Sequence, residues 1–244
     1  MIFLRSLLFN LFHFGSTVAV LIPGVVIHYF LPAHALGLAI FWARLQLAAL
    51  RVICGIRFHV TGLEHLPRAG PALIASRHES AFDTLVWLTL VPRVSYVVKT
   101  ELTRIPVFGS LLRSTGMIPV DRSGGATAMR ELMRAGLRAA RAGRQIVIFP
   151  EGTRGEPGEL LPLLPGVAAL AASTHLPVIP VATDSGLHWG RRAFRKHPGT
   201  IRIDILPPLP TGLKRPALMA RLEAALREGM AHLASQSLQG AKVP

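Results

Sequence analysis

From Ser6 to Ala43 the chain carries no Asp, Glu, Lys or Arg. About 20 apolar residues are enough to cross the hydrocarbon core of a bilayer, so a run of this length is too long for a core helix of a soluble domain. It places the N-terminus in a membrane. Pro23-Gly24 and Leu31-Pro32 interrupt the run and predict a first helix, kinked near Pro23 and ending near Phe30, and a second from about Ala35 to Cys54. Arg5 precedes the pair, while Arg44, Arg51 and Arg57 mark its far side. Positive charge at both ends predicts a hairpin that returns to the cytoplasmic face. Length and composition leave open whether the hairpin spans the bilayer or lies half-immersed. Ala33-x-Ala35 resembles a signal cleavage site, but the apolar region before it exceeds the usual length and a second apolar segment follows.

The charge balance sharpens this reading. Against 27 Lys and Arg stand 13 Asp and Glu, a net charge of +14. A chain both basic and apolar suits an anionic membrane surface, where headgroup attraction and apolar insertion act together. A basic stripe studded with aromatics, the footprint of nucleic-acid binding, is missing, and only 2 Tyr occur. The single cysteine, Cys54, excludes an intrachain disulfide and a thiolate metal cluster.

After Gly55 the pattern changes to short β-rich runs alternating with helical stretches. Strands are predicted over Ile56–Val60, Ala72–Ala75, Val94–Val98, Met117–Val120, Gln145–Phe149, Val178–Ala182 and Ile201–Leu206, with helices over Phe82–Leu90 and about Ala126–Arg141. This alternation predicts an α/β fold, a mixed but largely parallel sheet flanked by helices. Arg130, Arg134, Arg138 and Arg141 share one helix face, either as plain solvated surface or as a patch facing a membrane or a carrier protein. From Pro216 onward, Leu218, Leu222, Leu226, Met230 and Leu233 line one side of a final amphipathic helix.

Between two apolar runs lies the polar cluster Ser76-Arg77-His78-Glu79-Ser80-Ala81-Phe82-Asp83. An imidazole and a carboxylate are the parts needed to take a proton from an alcohol. Five residues apart on a continuous helix they would point about 140° away from each other. The pair can meet only if His78 precedes the helix and Asp83 lies in its first turn, and Ser80-x-x-Asp83 reads as the capping box that starts it. On spacing alone a second reading stands, in which Asp83 merely caps and His78 is an ordinary loop residue. Two further stretches sit at strand ends, where α/β sheets bind ligands: Gly116 to Arg122, and Phe149-Pro150-Glu151-Gly152-Thr153-Arg154. Gly152 allows close backbone approach, and each arginine offers a fixed fork of donors suited to phosphate.

His78-x4-Asp83, Lys99-Thr100-Glu101-Leu102 with Ile105 to Gly109, Gly116 to Arg122, Phe149 to Arg154 and Leu176 to Val181 occur in the order and approximate spacing of the glycerolipid acyltransferase motifs. Over roughly Ile56 to Pro210 the chain resembles the bacterial 1-acyl-glycerol-3-phosphate acyltransferases. The resemblance implies that His78 is the general base, that Asp83 orients it, and that Arg122 and Arg154 hold the acceptor phosphate. Lys99, Glu151, Gly152 and Thr153 belong to the implied substrate-binding motifs. It implies a hairpin over residues 1–55 and an acyltransferase domain over 56–244 at the bacterial inner membrane, its active site toward the cytoplasm. Lysophosphatidic acid would be the acceptor, and acyl-CoA or acyl-carrier protein would arrive as co-substrate, with no metal or bound cofactor. The chain departs from the family at Arg77, where many members have Asn, and at Leu163-Leu164-Pro165-Gly166, which lacks the usual lysine two residues before the glycine.

Other chemistries fit less well. A zinc-protease helix opening at His78-Glu79 needs a second His where Phe82 stands. No Gly-Lys-Ser/Thr phosphate loop is present. Ser80 could act as a nucleophile activated by His78, although capping is its simpler role. Acylation of a different lyso-lipid, such as lyso-ornithine lipid, and non-catalytic binding of anionic lipid are the alternatives at the level of function.

Overall fold

The computed structural model describes residues 1–240. Helix α1 (Ile2–Phe30) runs through Pro23, and α2 (Ala35–Ala49) continues into a π-type turn over Leu50–Cys54 that Gly55 ends in left-handed backbone. There follow β1 (Ile56–Thr61), β2 (Ala72–Ser76), α3 (Phe82–Leu90), β3 (Val94–Lys99), α4 (Phe108–Ser114), β4 (Ile118–Val120), α5 (Gly125–Arg141) and β5 (Gln145–Ile148). The chain closes with α6 (Gly166–Thr174), β6 (Val178–Thr183), α7 (Ser185–His188), β7 (Gly199–Ile205) and α8 (Arg215–Gly240). Each strand expected from the sequence is present within a residue or two at its ends. Both N-terminal helices end where the prolines and Gly55 predict.

The seven strands form one sheet in the order β1-β7-β6-β2-β5-β3-β4. All neighbours are parallel except β6 and β7, which are antiparallel. The central strands β2, β5 and β6 are buried along their whole length, as parallel strands covered on both faces must be. Edge strand β1 instead exposes Arg57, Phe58 and His59. On one face of the sheet lie α1, α2 and α3, with Phe9, Ala43, Leu50, Phe82 and Trp87 in a single cluster with Ile74 and Val147. The other face is covered by α5, α6 and α8 through Leu132, Val167, Leu170, Leu218, Leu222 and Leu226. Burying each such side chain contributes about 1.5–3 kcal/mol. Of the expected α8 stripe, Leu218, Leu222, Leu226 and Leu233 are buried and Met230 is half-buried. Arg130, Arg134, Arg138 and Arg141 line the exposed side of α5.

The N-terminal helices serve two environments. Phe9 is wholly buried and meets Trp189 edge-on at 5.4 Å, and Lys196 donates to the Asn10 side chain at 2.6 Å. The core of the α/β domain therefore continues into residues 1–55. The opposite side of α1 leaves Leu4, Leu8, Leu11, Phe14, Val18, Ile22, Val26 and Tyr29 exposed at steps of three or four, an apolar stripe along the full helix. Two segments, Ile2–Phe30 and Pro32–Cys54, are long and apolar enough to cross a membrane.

Candidate active site

Strands β2, β5, β3 and β4 are adjacent and parallel, so their C-terminal ends open on the same edge of the sheet. His78 lies two residues beyond β2, Glu151 to Arg154 lie beyond β5, Lys99 ends β3, and Arg122 lies two residues beyond β4. Topology alone thus gathers onto one edge residues that are far apart in sequence.

His78 sits in the extended segment before α3, and its Nδ1 is 3.0 Å from Oδ2 of Asp83 in the first helical turn. The same carboxylate oxygen accepts the backbone N–H groups of Glu79 and Ser80, each at 2.8 Å. Ser80, fully buried, accepts the N–H of Phe82 on its Oγ at 3.1 Å at the start of α3. A carboxylate can only accept, so Nδ1 carries the hydrogen and Nε2 keeps its lone pair free. Phe149 stacks on the imidazole with ring centroids 4.1 Å apart and planes 17° apart. The imidazole is thereby fixed in both tautomer and orientation.

The loop beyond β5 turns on Gly152, whose φ of +69° is a backbone conformation that a residue with a side chain adopts only under strain. Its carbonyl accepts from Arg122, and the Arg154 carbonyl accepts from Arg191 at 3.3 Å. Burial pulls the pKa of Arg154 below its ordinary value; the charge of Asp83 opposes this, and those of Arg191 and Arg192 add to it. Arg122 is also lowered by burial, opposed by Glu101. Lys99 and Thr153 are exposed on the same edge. Among the described residues no three His, Cys, Asp or Glu side chains are placed to hold a metal ion.

One placement corrects the sequence reading. Glu151, grouped there with the substrate-binding residues, is buried, and its carboxylate is already occupied by Arg77 Nε at 3.3 Å, the His78 N–H at 3.3 Å and the Leu161 N–H at 3.4 Å. An acceptor-only group so engaged supports the site from behind and cannot grip a phosphate. Sequence reasoning also missed Arg77 and Glu79 as partners. Both are buried, with Arg77 Nη1 2.7 Å from Glu79 Oε1. Glu79 Oε2 accepts the Gly186 N–H at 2.9 Å, and burial, opposed by Arg77, pushes its pKa from 4.5 to about 8. Their charges stood in plain view beside His78; what revealed no pairing was that Glu151 and Gly186 lie far along the chain.

With this geometry in place, comparison with known proteins is direct. The family profile described as Acyltransferase matches residues 57–184, which include His78, Asp83, Arg122 and the Glu151–Arg154 loop. The chain belongs to the acyltransferase family. Over 196 residues it is 35% identical to the 1-acyl-sn-glycerol-3-phosphate acyltransferase of Pseudomonas aeruginosa, covering 79% of this chain and 76% of that protein. A plant acyltransferase of the same name, from Limnanthes douglasii, is 32% identical over 181 residues, which cover 73% of this chain and 60% of the plant protein. The crystal structure of the 1-acyl-sn-glycerophosphate acyltransferase from Thermotoga maritima superimposes with a TM-score of 0.77 over 96% of this chain and 98% of that one. At 22% identity that likeness shows the acyltransferase fold, including the sheet expected from the sequence.

Proposed function

We propose that this enzyme transfers a fatty acyl group from a thioester to the sn-2 hydroxyl of lysophosphatidic acid, giving phosphatidic acid. The observation that carries the reading is the His78–Asp83 pair with its free Nε2, set on the same sheet edge as Arg122 and Arg154; relatives that bear the acyltransferase name support it. Nε2 takes the hydroxyl proton as the sn-2 oxygen attacks the thioester carbonyl, and Asp83 stabilises the imidazolium that forms. Collapse of the tetrahedral intermediate breaks the C–S bond, and the imidazolium returns the proton to the departing thiolate. Arg154 holds the acceptor phosphate, and Arg122 braces the same loop through the Gly152 carbonyl. The acyl donor is acyl-CoA or acyl-carrier protein, and no metal or resident cofactor takes part.

The enzyme sits in the bacterial inner membrane with the site toward the cytoplasm. Two apolar N-terminal helices and the net charge of +14 support this placement. Leu164, exposed beside Gly152, puts an apolar group near the acceptor end and keeps a phosphate-free lyso-lipid as the competing acceptor. A purified-enzyme assay that pairs lysophosphatidic acid, lyso-ornithine lipid and other lyso-lipids with both thioester types tests the proposal. Faster turnover of lysophosphatidic acid is the expected result; preference for a phosphate-free acceptor overturns the assignment.

A further inference from the structure

Two loops meet at the buried side chain of Arg77, behind His78, and a third joins them through Glu79. Nη1 pairs with Glu79 at 2.7 Å on its own loop, Nε pairs with Glu151 at 3.3 Å, and Nη2 donates to the Glu159 carbonyl. Glu79 in turn holds the Gly186 N–H at the start of α7. The His78 peptide is gripped from both sides by the loop beyond β5, its N–H by Glu151 Oε1 at 3.3 Å and its carbonyl by the Gly155 N–H at 2.8 Å. Glu151 and Gly155 flank Arg154. One guanidinium therefore ties the backbone that carries the base to the loop that carries the phosphate ligand.

We infer that Arg77 is a positioning residue: its fork sets the separation of His78 from Arg154, and so the alignment of the acceptor hydroxyl with the base. This rests on the acyltransfer reading above. A small misplacement of reacting groups costs rate even when both remain present. Arg77 faces two carboxylates, Glu79 and Glu151. The other charged groups about the site are His78 on the same loop, Asp83 at the start of α3, Arg154 beyond β5 and, farther out, Arg191 and Arg192. Removing the guanidinium takes a buried positive charge from beside His78, a change of field that favours the imidazolium.

The test uses the full-length enzyme in mixed micelles with lysophosphatidic acid and an acyl thioester. Wild-type turnover is measured first, so failure of the acyltransfer reading shows there, independently of any variant. For Arg77→Asn, kcat should fall about tenfold or more while the acceptor KM stays within about twofold, and the acid limb of the pH–rate profile should move to higher pH. Arg77→Asn/Glu151→Gln, which removes one charge of each sign from the pair, should return the limb toward the wild-type position and restore part of kcat, a rescue that a merely structural role would not produce. An unmoved acid limb, an undiminished kcat, or a rise in acceptor KM at constant kcat overturns the inference. If Arg77→Asn fails to fold by circular dichroism, Arg77→Lys decides: it keeps the charge and loses the fork, so kcat should fall with the limb in place, and wild-type kcat in that variant overturns the assignment.

Discussion

Nδ1 of His78 and Oδ2 of Asp83 stand 3.0 Å apart, although residues five apart on a continuous helix point about 140° away from each other. The contact exists because α3 begins only at Phe82, which leaves His78 in extended chain folded back over the first turn. The same carboxylate oxygen holds the N–H groups of Glu79 and Ser80. Thus the carboxylate that holds the imidazole also satisfies two N–H groups just ahead of α3.

This double duty predicts unequal effects of two substitutions. His78→Ala should lower turnover by about two to four powers of ten with little change in thermal stability. Asp83→Ala should slow turnover as well and, by removing the acceptor of the Glu79 and Ser80 N–H groups, cost about 0.5–2 kcal/mol of stability. Steady-state kinetics with thermal melts on each variant measure both. Near-normal turnover for His78→Ala would sink the general-base role.

Arg154 is expected to act on the acceptor rather than the donor. A charge-assisted bond to phosphate is worth about 1.5–3 kcal/mol, so Arg154→Ala should cut catalytic efficiency on lysophosphatidic acid by roughly ten- to hundredfold or more. The KM of the thioester should move much less. Lysine at this position should rescue only part, since it keeps the charge and loses the fork. Equal use of lysophosphatidic acid by wild type and Arg154→Ala removes the phosphate role.

Glu79 gives the fold a pH dependence of definite sign. Its carboxyl is raised from 4.5 to about 8, so between these values the folded chain holds a proton that the unfolded chain has released. The stability this proton confers is complete below about 4.5 and is lost as pH rises to about 8. Glu79→Gln has no such proton to lose. Melting curves taken from about pH 5 to 9 should show wild type losing stability relative to Glu79→Gln; parallel curves for the two proteins would contradict the assignment.

The apolar stripe on α1 predicts how the protein fractionates. Salt screens headgroup attraction but leaves apolar insertion intact, so wild-type protein should stay with membranes through a high-salt wash and leave them only in detergent. Release by salt alone would mean that the stripe is covered by something other than lipid.

Local chemistry determined a large share of this protein. The uncharged run from Ser6 to Ala43, the alternation of β-rich and helical stretches, and the box Ser80-x-x-Asp83 each act over a few residues to a few turns. Strand positions, the membrane-suited hairpin and the His78–Asp83 pairing were legible for that reason. What the tertiary structure decided is everything that depends on strand order. Placing β2 between β6 and β5 brings Glu151 to the His78 N–H across 73 positions and Gly186 to Glu79 across 107. It also buries Glu151, grouped by the sequence with the substrate-binding residues, and gives Phe9 a place in the core of a domain that begins some fifty residues later. No local pattern encodes such pairings, because each is satisfied only when parallel neighbours fix the register and burial makes an unpaired charge too costly to leave alone.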